Sequence, residues 1–191
     1  MLARIIPSQT RRKVLALFFQ NSSEMYHMRR IGREINEEIN AVKRELGILE
    51  KEGVLNKEQR VNKIMYSLDP KYRFYDEFLR MFAKENELSK QIYKNVSKLG
   101  KLKFVAVSLK YAQKKPAKEG EIYVLFVGVV VIAEVAAILS EQEKTFGSEI
   151  NYTVMTEDEL KFRKKNNDPF IWHFLKEPKI MLVGVESELT T

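Results

Sequence analysis

The chain has 191 residues, an apolar fraction of 45%, a formal net charge of +7 and no cysteine. That length allows one large domain or two small ones, and the lack of cysteine excludes disulfides, thiolate metal sites and cysteine nucleophiles. Two histidines are too few for a His-rich metal centre.

The opening MLARIIPSQTRRKVLALFF has a short apolar run behind basic residues and no small-residue cleavage site, so it reads as the first helix of the fold, not a leader. The most apolar stretch, IYVLFVGVVVIAEVAAIL, is interrupted by Gly128 and Glu134 and falls short of the roughly 20 apolar residues a membrane span needs. A cytoplasmic protein off the membrane is expected. Charge is divided along the chain: residues 1–100 carry 20 Lys+Arg against 13 Asp+Glu, residues 101–120 carry 6 against 1, and residues 121–191 carry 7 against 12. A basic front and an acidic rear suggest a module that meets polyanion joined to one that does not.

In chain order, Ser8 suits the cap of a helix whose apolar stripe is Val14, Leu15, Leu17 and Phe18, ended by Asn21-Ser22-Ser23. In YHMRRIGREI, Met28, Ile31 and Ile35 recur at helical spacing and leave Arg29, Arg30 and Arg33 on other faces. Asn36 serves as a turn. The third helix, EEINAVKRELGILEKEG, buries Ile39, Val42, Leu46 and Leu49 and stops at Gly53. Two helices joined by a tight turn, the second amphipathic, are what a helix-turn-helix requires. Val54 to Arg60 and Ile64 to Leu68 then read as two strands around a turn at Asn62-Lys63.

Three helices followed by a hairpin, taken with RELGILEKEGVL, resemble the winged helix-turn-helix regulators of bacteria and archaea over roughly residues 8–70. The resemblance implies double-stranded DNA as partner, the third helix as reader, and the hairpin tip with Arg60 and Lys63 as a wing against the sugar-phosphate backbone. Opposite its apolar stripe the third helix presents Asn40, Arg44 and Gly47, with Lys43 and Lys51 nearby. Arg suits guanine and Asn suits adenine in the major groove, so Asn40, Lys43 and Arg44 are the expected base or groove contacts. Arg29, Arg11 and Arg12 are expected phosphate clamps. Glu37 and Glu38 oppose phosphate at the helix start, and Ile48 is an apolar residue where a polar one is expected. His27 reads as a surface or packing residue.

Residues 71–100 read as a helical linker with two stripes, Tyr72, Tyr75, Phe78, Leu79, Phe82 and then Leu88, Ile92, Tyr93, Val96, Leu99. Such stripes serve as core or as a dimer contact, and this segment is the expected homodimer interface. From residue 101 to 191 strands and helices alternate, from KFVAVSL through EIYVLFVG to the closing PFIWHFLKEPKIMLVG, which argues for a sheet with helices against it. The expected fold class is α+β: an N-terminal winged helix-turn-helix over 1–70, a helical linker over 71–100, and a C-terminal α/β domain over 101–191.

The rear layout resembles the minimal nucleotidyltransferase-type domain fused behind winged helices in some prokaryotic regulators. In active members the first strand ends in Gly-Ser and the second bears Asp-x-Asp, which holds Mg²⁺. Here the corresponding residues are Val107-Ser108 and Glu121-Ile122-Tyr123, with Asn151 on the later strand where a third acid is sought. The resemblance therefore implies a fold without its chemistry: no catalytic residues, no metal and no cofactor. The loop SLKYAQKKPAKEG carries Lys110, Lys114, Lys115 and Lys118; it reads either as a solvated flexible loop, the favoured reading, or as a seat for phosphate. The expected function is transcription regulation by sequence-specific DNA binding, with the rear domain sensing a small anionic effector, oligomerising, or meeting a partner protein as an antitoxin would. The alternative is a nucleotide-binding or nucleotidyl-transferring enzyme carrying a DNA-targeting winged helix.

Overall fold

In the computed structural model, which describes residues 2–191, the Ser8 hydroxyl accepts the Arg11 backbone N–H at 3.2 Å and so starts α1 (Gln9–Phe19). α1 buries Val14, Leu15, Phe18 and Phe19. Leu17, expected in the buried stripe, is only half-buried, and Phe19 takes the inward position instead. A two-residue strand β1 (Tyr26–His27) leads into α2 (Met28–Ile35). His27 is its cap: Nδ1 accepts the Arg30 backbone N–H at 3.2 Å, satisfying a donor that a helix start leaves open. Asn36 closes α2 in the left-handed region, φ 49°, which asparagine tolerates better than other side chains.

α3 (Ile39–Lys51) buries Val42, Leu46 and Leu49. Ile39, expected in the same stripe, is 37% exposed, because it stands at the first turn, where the helix leaves the core. β2 (Leu55–Arg60) and β3 (Lys63–Leu68) form an antiparallel hairpin in which Arg60 faces Lys63, and β1 pairs with the other edge of β3. The turn is therefore Val61-Asn62, one residue earlier than expected. Val61 sits at φ 44°, a conformation a β-branched residue rarely adopts, so turn chemistry in the sequence pointed past it. Next comes α4 (Tyr75–Ala83).

Residues 71–100 are not one linker. The chain forms two units, Met1–Phe82 and Ala83–Thr191, and the break falls inside that segment. The first aromatic stripe is core of the front unit: Phe19 stacks on Phe82 at 5.6 Å and packs against Phe78 and Tyr75. α5 (Glu87–Asn95), capped by Asn86 accepting the Ser89 N–H at 2.8 Å, belongs to the rear unit. Its second stripe divides, with Leu88, Ile92 and Leu99 buried and Tyr93 and Val96 exposed.

In the rear unit β4 (Gly100–Ser108), α6 (Leu109–Ala112), β5 (Val124–Val130), α7 (Ile132–Phe146), β6 (Tyr152–Met155), α8 (Glu157–Lys165), α9 (Pro169–Lys176), β7 (Lys179–Val183) and α10 (Glu186–Thr190) follow in order. The sheet order is β6-β5-β4-β7; β4 runs antiparallel to β5 and β7, and β5 is parallel to β6 across α7. Strand alternation divides its core. Val105, Val107, Val124 and Phe126 join α5 and α7 on one face, while Phe104, Ala106, Leu125 and Val127 meet Leu160, Ile171, Phe174 and Leu189 on the other. Each face is covered by helices, as apolar positions of both parities demand. The protein is a mixed α+β fold with two sheets. Among the described residues no helix is long and apolar enough to cross a membrane.

Candidate functional site

The front unit collects basic groups on one side of α3, and its own carboxylates explain how. Glu45, in the middle of the helix, is 2% exposed. It accepts from Ser8 Oγ at 2.8 Å and from Arg11 Nε at 2.7 Å. Burial opposes its charge, but those two hydrogen bonds prevail and hold the carboxyl below its ordinary value. Glu37 is likewise used inside the chain, accepting from Lys13 Nζ at 2.7 Å and from Thr10 at 2.8 Å. Glu50 lies 3.5 Å from Lys57 Nζ. The α3 carboxylates are thus turned inward or paired, and Asn40, Lys43, Arg44, Gly47 and Lys51 remain exposed.

Gly47 is the odd member of that face. A Cβ built there meets nothing within 4 Å, so no packing inside the chain calls for glycine. Glycine in a helix interior costs about 1 kcal/mol relative to alanine. The position makes physical sense where something outside the chain approaches the α3 backbone closely.

The expected contact residues divide into free and occupied groups. Asn40, Lys43 and Arg44 lie together on the exposed α3 face, Arg44 being 69% exposed. Arg29 and Lys63 line one shallow hollow of about 760 Å³, together with His27 and Arg33. Sequence reasoning missed Arg33, although its spacing of four from Arg29 on α2 is the available signal. Burial, then Lys63 and the neighbouring arginines, push the His27 imidazole below its ordinary value. Arg60 is exposed but bidentate to Glu58, at 2.8 and 3.1 Å. Arg11 is bound to Glu45, and Arg12 donates to the Ile6 and Pro7 carbonyls, so both are committed to holding the start of α1.

The rear unit has its own polar centre, at the end of β4. Ser108, 5% exposed, caps α6 by accepting the Tyr111 N–H at 3.2 Å. Glu121 and Tyr123 precede β5 instead of lying on it as expected. Glu121 Oε1 accepts from Lys110 Nζ at 2.7 Å and lies 3.1 Å from His173 Nε2, while Oε2 accepts the Lys118 N–H at 2.9 Å. The Lys110 bond above all, followed by that backbone donor, holds the Glu121 carboxyl down at about 2, and the same bond raises Lys110. The Tyr123 hydroxyl accepts the Ala117 N–H at 2.7 Å and donates to the Lys115 carbonyl at 2.9 Å. The basic loop expected to be flexible is therefore pinned at both Tyr123 and Glu121.

No match is found. Comparison of this chain with protein-family models, with curated proteins and with solved structures finds none in any of the three.

The Mg²⁺ that an active nucleotidyltransferase would need does not suit this arrangement. Glu121 spends its oxygens on an ammonium, a backbone N–H and an imidazole, and Tyr123 spends its hydroxyl on the loop. Among the described residues no group of three or more His, Asp or Glu side chains stands where it could hold a metal ion.

Proposed function

We propose that the chain is a sequence-specific duplex-DNA-binding transcription regulator acting in the cytoplasm as a homodimer. In this reading the front unit is a winged helix-turn-helix, with α3 in the major groove and the β2–β3 hairpin as the wing. One observation carries it. Within α3 Glu45 is buried and Glu50 is paired, and the helix exposes Asn40, Lys43, Arg44 and Lys51 around a glycine with open space above it, with Ile48 beside them and the exposed carboxylates of Glu38 and Glu52 confined to the helix ends. Such a face suits base edges flanked by phosphates. Arg29, Arg33 and Lys63 then serve as phosphate contacts beside it.

The test is binding of a fluorescent duplex, selected from a random pool, at several salt concentrations. Affinity should fall steeply with salt, with a log–log slope of about −0.9 for each phosphate contact. No measurable binding to any selected duplex at low salt would sink the reading.

For the rear unit we propose a nucleotidyltransferase-like fold that does not transfer nucleotides. Phosphoryl and nucleotidyl transfer depend on metal ions and aligned donors to neutralise charge. Here the Lys110 ammonium neutralises the one retained acid, Glu121. Incubation with labelled nucleoside triphosphates and Mg²⁺ or Mn²⁺ should leave protein and RNA unlabelled. Label transfer that disappears in Glu121→Gln would instead establish the enzyme reading.

A further inference from the structure

Besides a hollow lined by Ser108, Lys110, Glu121 and His173, the rear unit holds another that shares no residue with it. Its volume is about 620 Å³, within the range of roughly 300–1,000 Å³ typical of small-molecule sites. β4 contributes Lys103, α8 contributes Lys161, Lys164 and Lys165, and α9 contributes Trp172. Glu157, Glu188 and Thr191 also line it, so lysine side chains outnumber acidic side chains there by two. That excess is local: residues 121–191 as a whole are acidic, with 7 Lys+Arg against 12 Asp+Glu.

Lys164 is the least exposed of the three α8 lysines in the hollow. Its side chain is half-buried and donates to the Leu189 carbonyl at 3.0 Å. Among the described residues it meets no carboxylate, and burial pushes its pKa down. An ammonium has three donors, so beside the Leu189 carbonyl it can also donate to an anion seated in the hollow. The neighbouring pairs are loose: Lys103 is 3.7 Å from Glu188, and Lys161 is 3.9 Å from a nearly fully exposed Asp158. Trp172 supplies the other half of a site. Its Nε1 donates to the Lys164 carbonyl at 3.3 Å, which fixes the indole at the wall of the hollow, and the Lys176 ammonium, outside the hollow's lining, stands 6.0 Å from the ring centroid.

The geometry points to a binding site for a nucleoside polyphosphate, its base on the Trp172 indole and its phosphates on Lys161, Lys164 and Lys165. Several separate ammonium groups match clustered phosphate oxygens as point charges, and an indole face accepts a planar base. The site stands apart from the DNA-binding reading and from the Glu121 centre.

Trp172 is the chain's single tryptophan and lines both this hollow and a neighbouring one with His173 and Lys176, so its fluorescence is read together with the lysine variant below. Titration of the full chain with ATP should quench it, with calorimetry giving the same dissociation constant. The double variant Lys161→Ala/Lys165→Ala changes two exposed side chains and should weaken ATP by about tenfold or more, as loss of charge-assisted hydrogen bonds implies. Inorganic tripolyphosphate should bind more weakly than ATP. The assignment is overturned by absent quenching and heat at millimolar ATP, by ATP affinity unchanged in the double variant, or by tripolyphosphate equalling ATP.

Discussion

Arg11→Ala should destabilise the front unit by about 3 kcal/mol at neutral pH, because it strands a buried carboxylate. Glu45 is 2% exposed and Arg11 Nε is its closest cation at 2.7 Å. Breaking a buried ion pair from one side costs about 3–5 kcal/mol. The lower end applies because the Arg11 side chain is 36% exposed and Arg44, 3.9 Å from Glu45, offers partial relief. The pH dependence separates this cause from lost packing. In the native chain the Glu45 carboxyl lies below its ordinary value, so its contribution is complete above the unfolded pKa of about 4.3 and is lost as pH falls through the folded value. Without Arg11, desolvation is opposed mainly by Ser8 and the folded value should rise above the unfolded one. The penalty is then full above that raised value and disappears in acid. Urea midpoints of both proteins from neutral to mildly acidic pH should therefore converge. A gap that stays constant over that interval would assign the loss to packing of the arginine stem instead.

Glu45 also shows where sequence periodicity runs out. Its place among Val42, Leu46 and Leu49 puts it on the inner face of α3, yet a carboxylate there reads as surface unless its partner is known. That partner lies 34 residues earlier, on a different helix, and helical spacing says nothing about such non-local pairs. Elements with strong apolar repeats were legible: α1 with its Ser8 cap, the α2-turn-α3 succession around Asn36, and the alternation that gives β4 two buried faces. The hairpin turn lies one residue earlier than its sequence suggests, because Val61 occupies a backbone region its side chain disfavours. The split of residues 71–100 was readable in principle, since Asn86 before Glu87 is a helix-start signature. Two aromatic stripes in succession hid it, because periodicity does not say which core a stripe serves.

The candidate site was legible in the same uneven way. The face bearing Asn40, Lys43 and Arg44 follows from the helical wheel, and the structure leaves all three exposed. Arg11 and Arg12 looked equivalent to other arginines because charge alone does not reveal an internal acceptor; their acceptors are Glu45 and two loop carbonyls. Tyr123 gave the opposite difficulty. As a replacement for a carboxylate it implied only a loss, whereas its hydroxyl holds two backbone groups of the basic loop.

If α3 lies in the major groove, its exposed side chains and the hairpin should differ in what they lose on substitution. Arg44→Ala should cost about 1–3 kcal/mol on the preferred duplex and less on random sequence, as for a base contact. Arg44 is suited to this test because it is 69% exposed and, among the described residues, pairs only at a long 3.9 Å with Glu45, so the fold should tolerate the change. Lys63→Ala should weaken both duplexes together and make the salt slope shallower by about one unit, as for a phosphate contact. Gly47→Leu adds a side chain where a Cβ meets nothing within 4 Å. It should raise the thermal midpoint, since leucine is the better helix former by several tenths of a kcal/mol, while reducing affinity for every duplex by holding the α3 backbone off the groove. Stability and binding moving in opposite directions is the informative result, because a damaged fold would lower both. Uniform loss in Arg44→Ala, or unimpaired binding by Gly47→Leu, would mean that another face of the front unit meets DNA. The His27, Arg29, Arg33 and Lys63 hollow would then be the next surface to substitute.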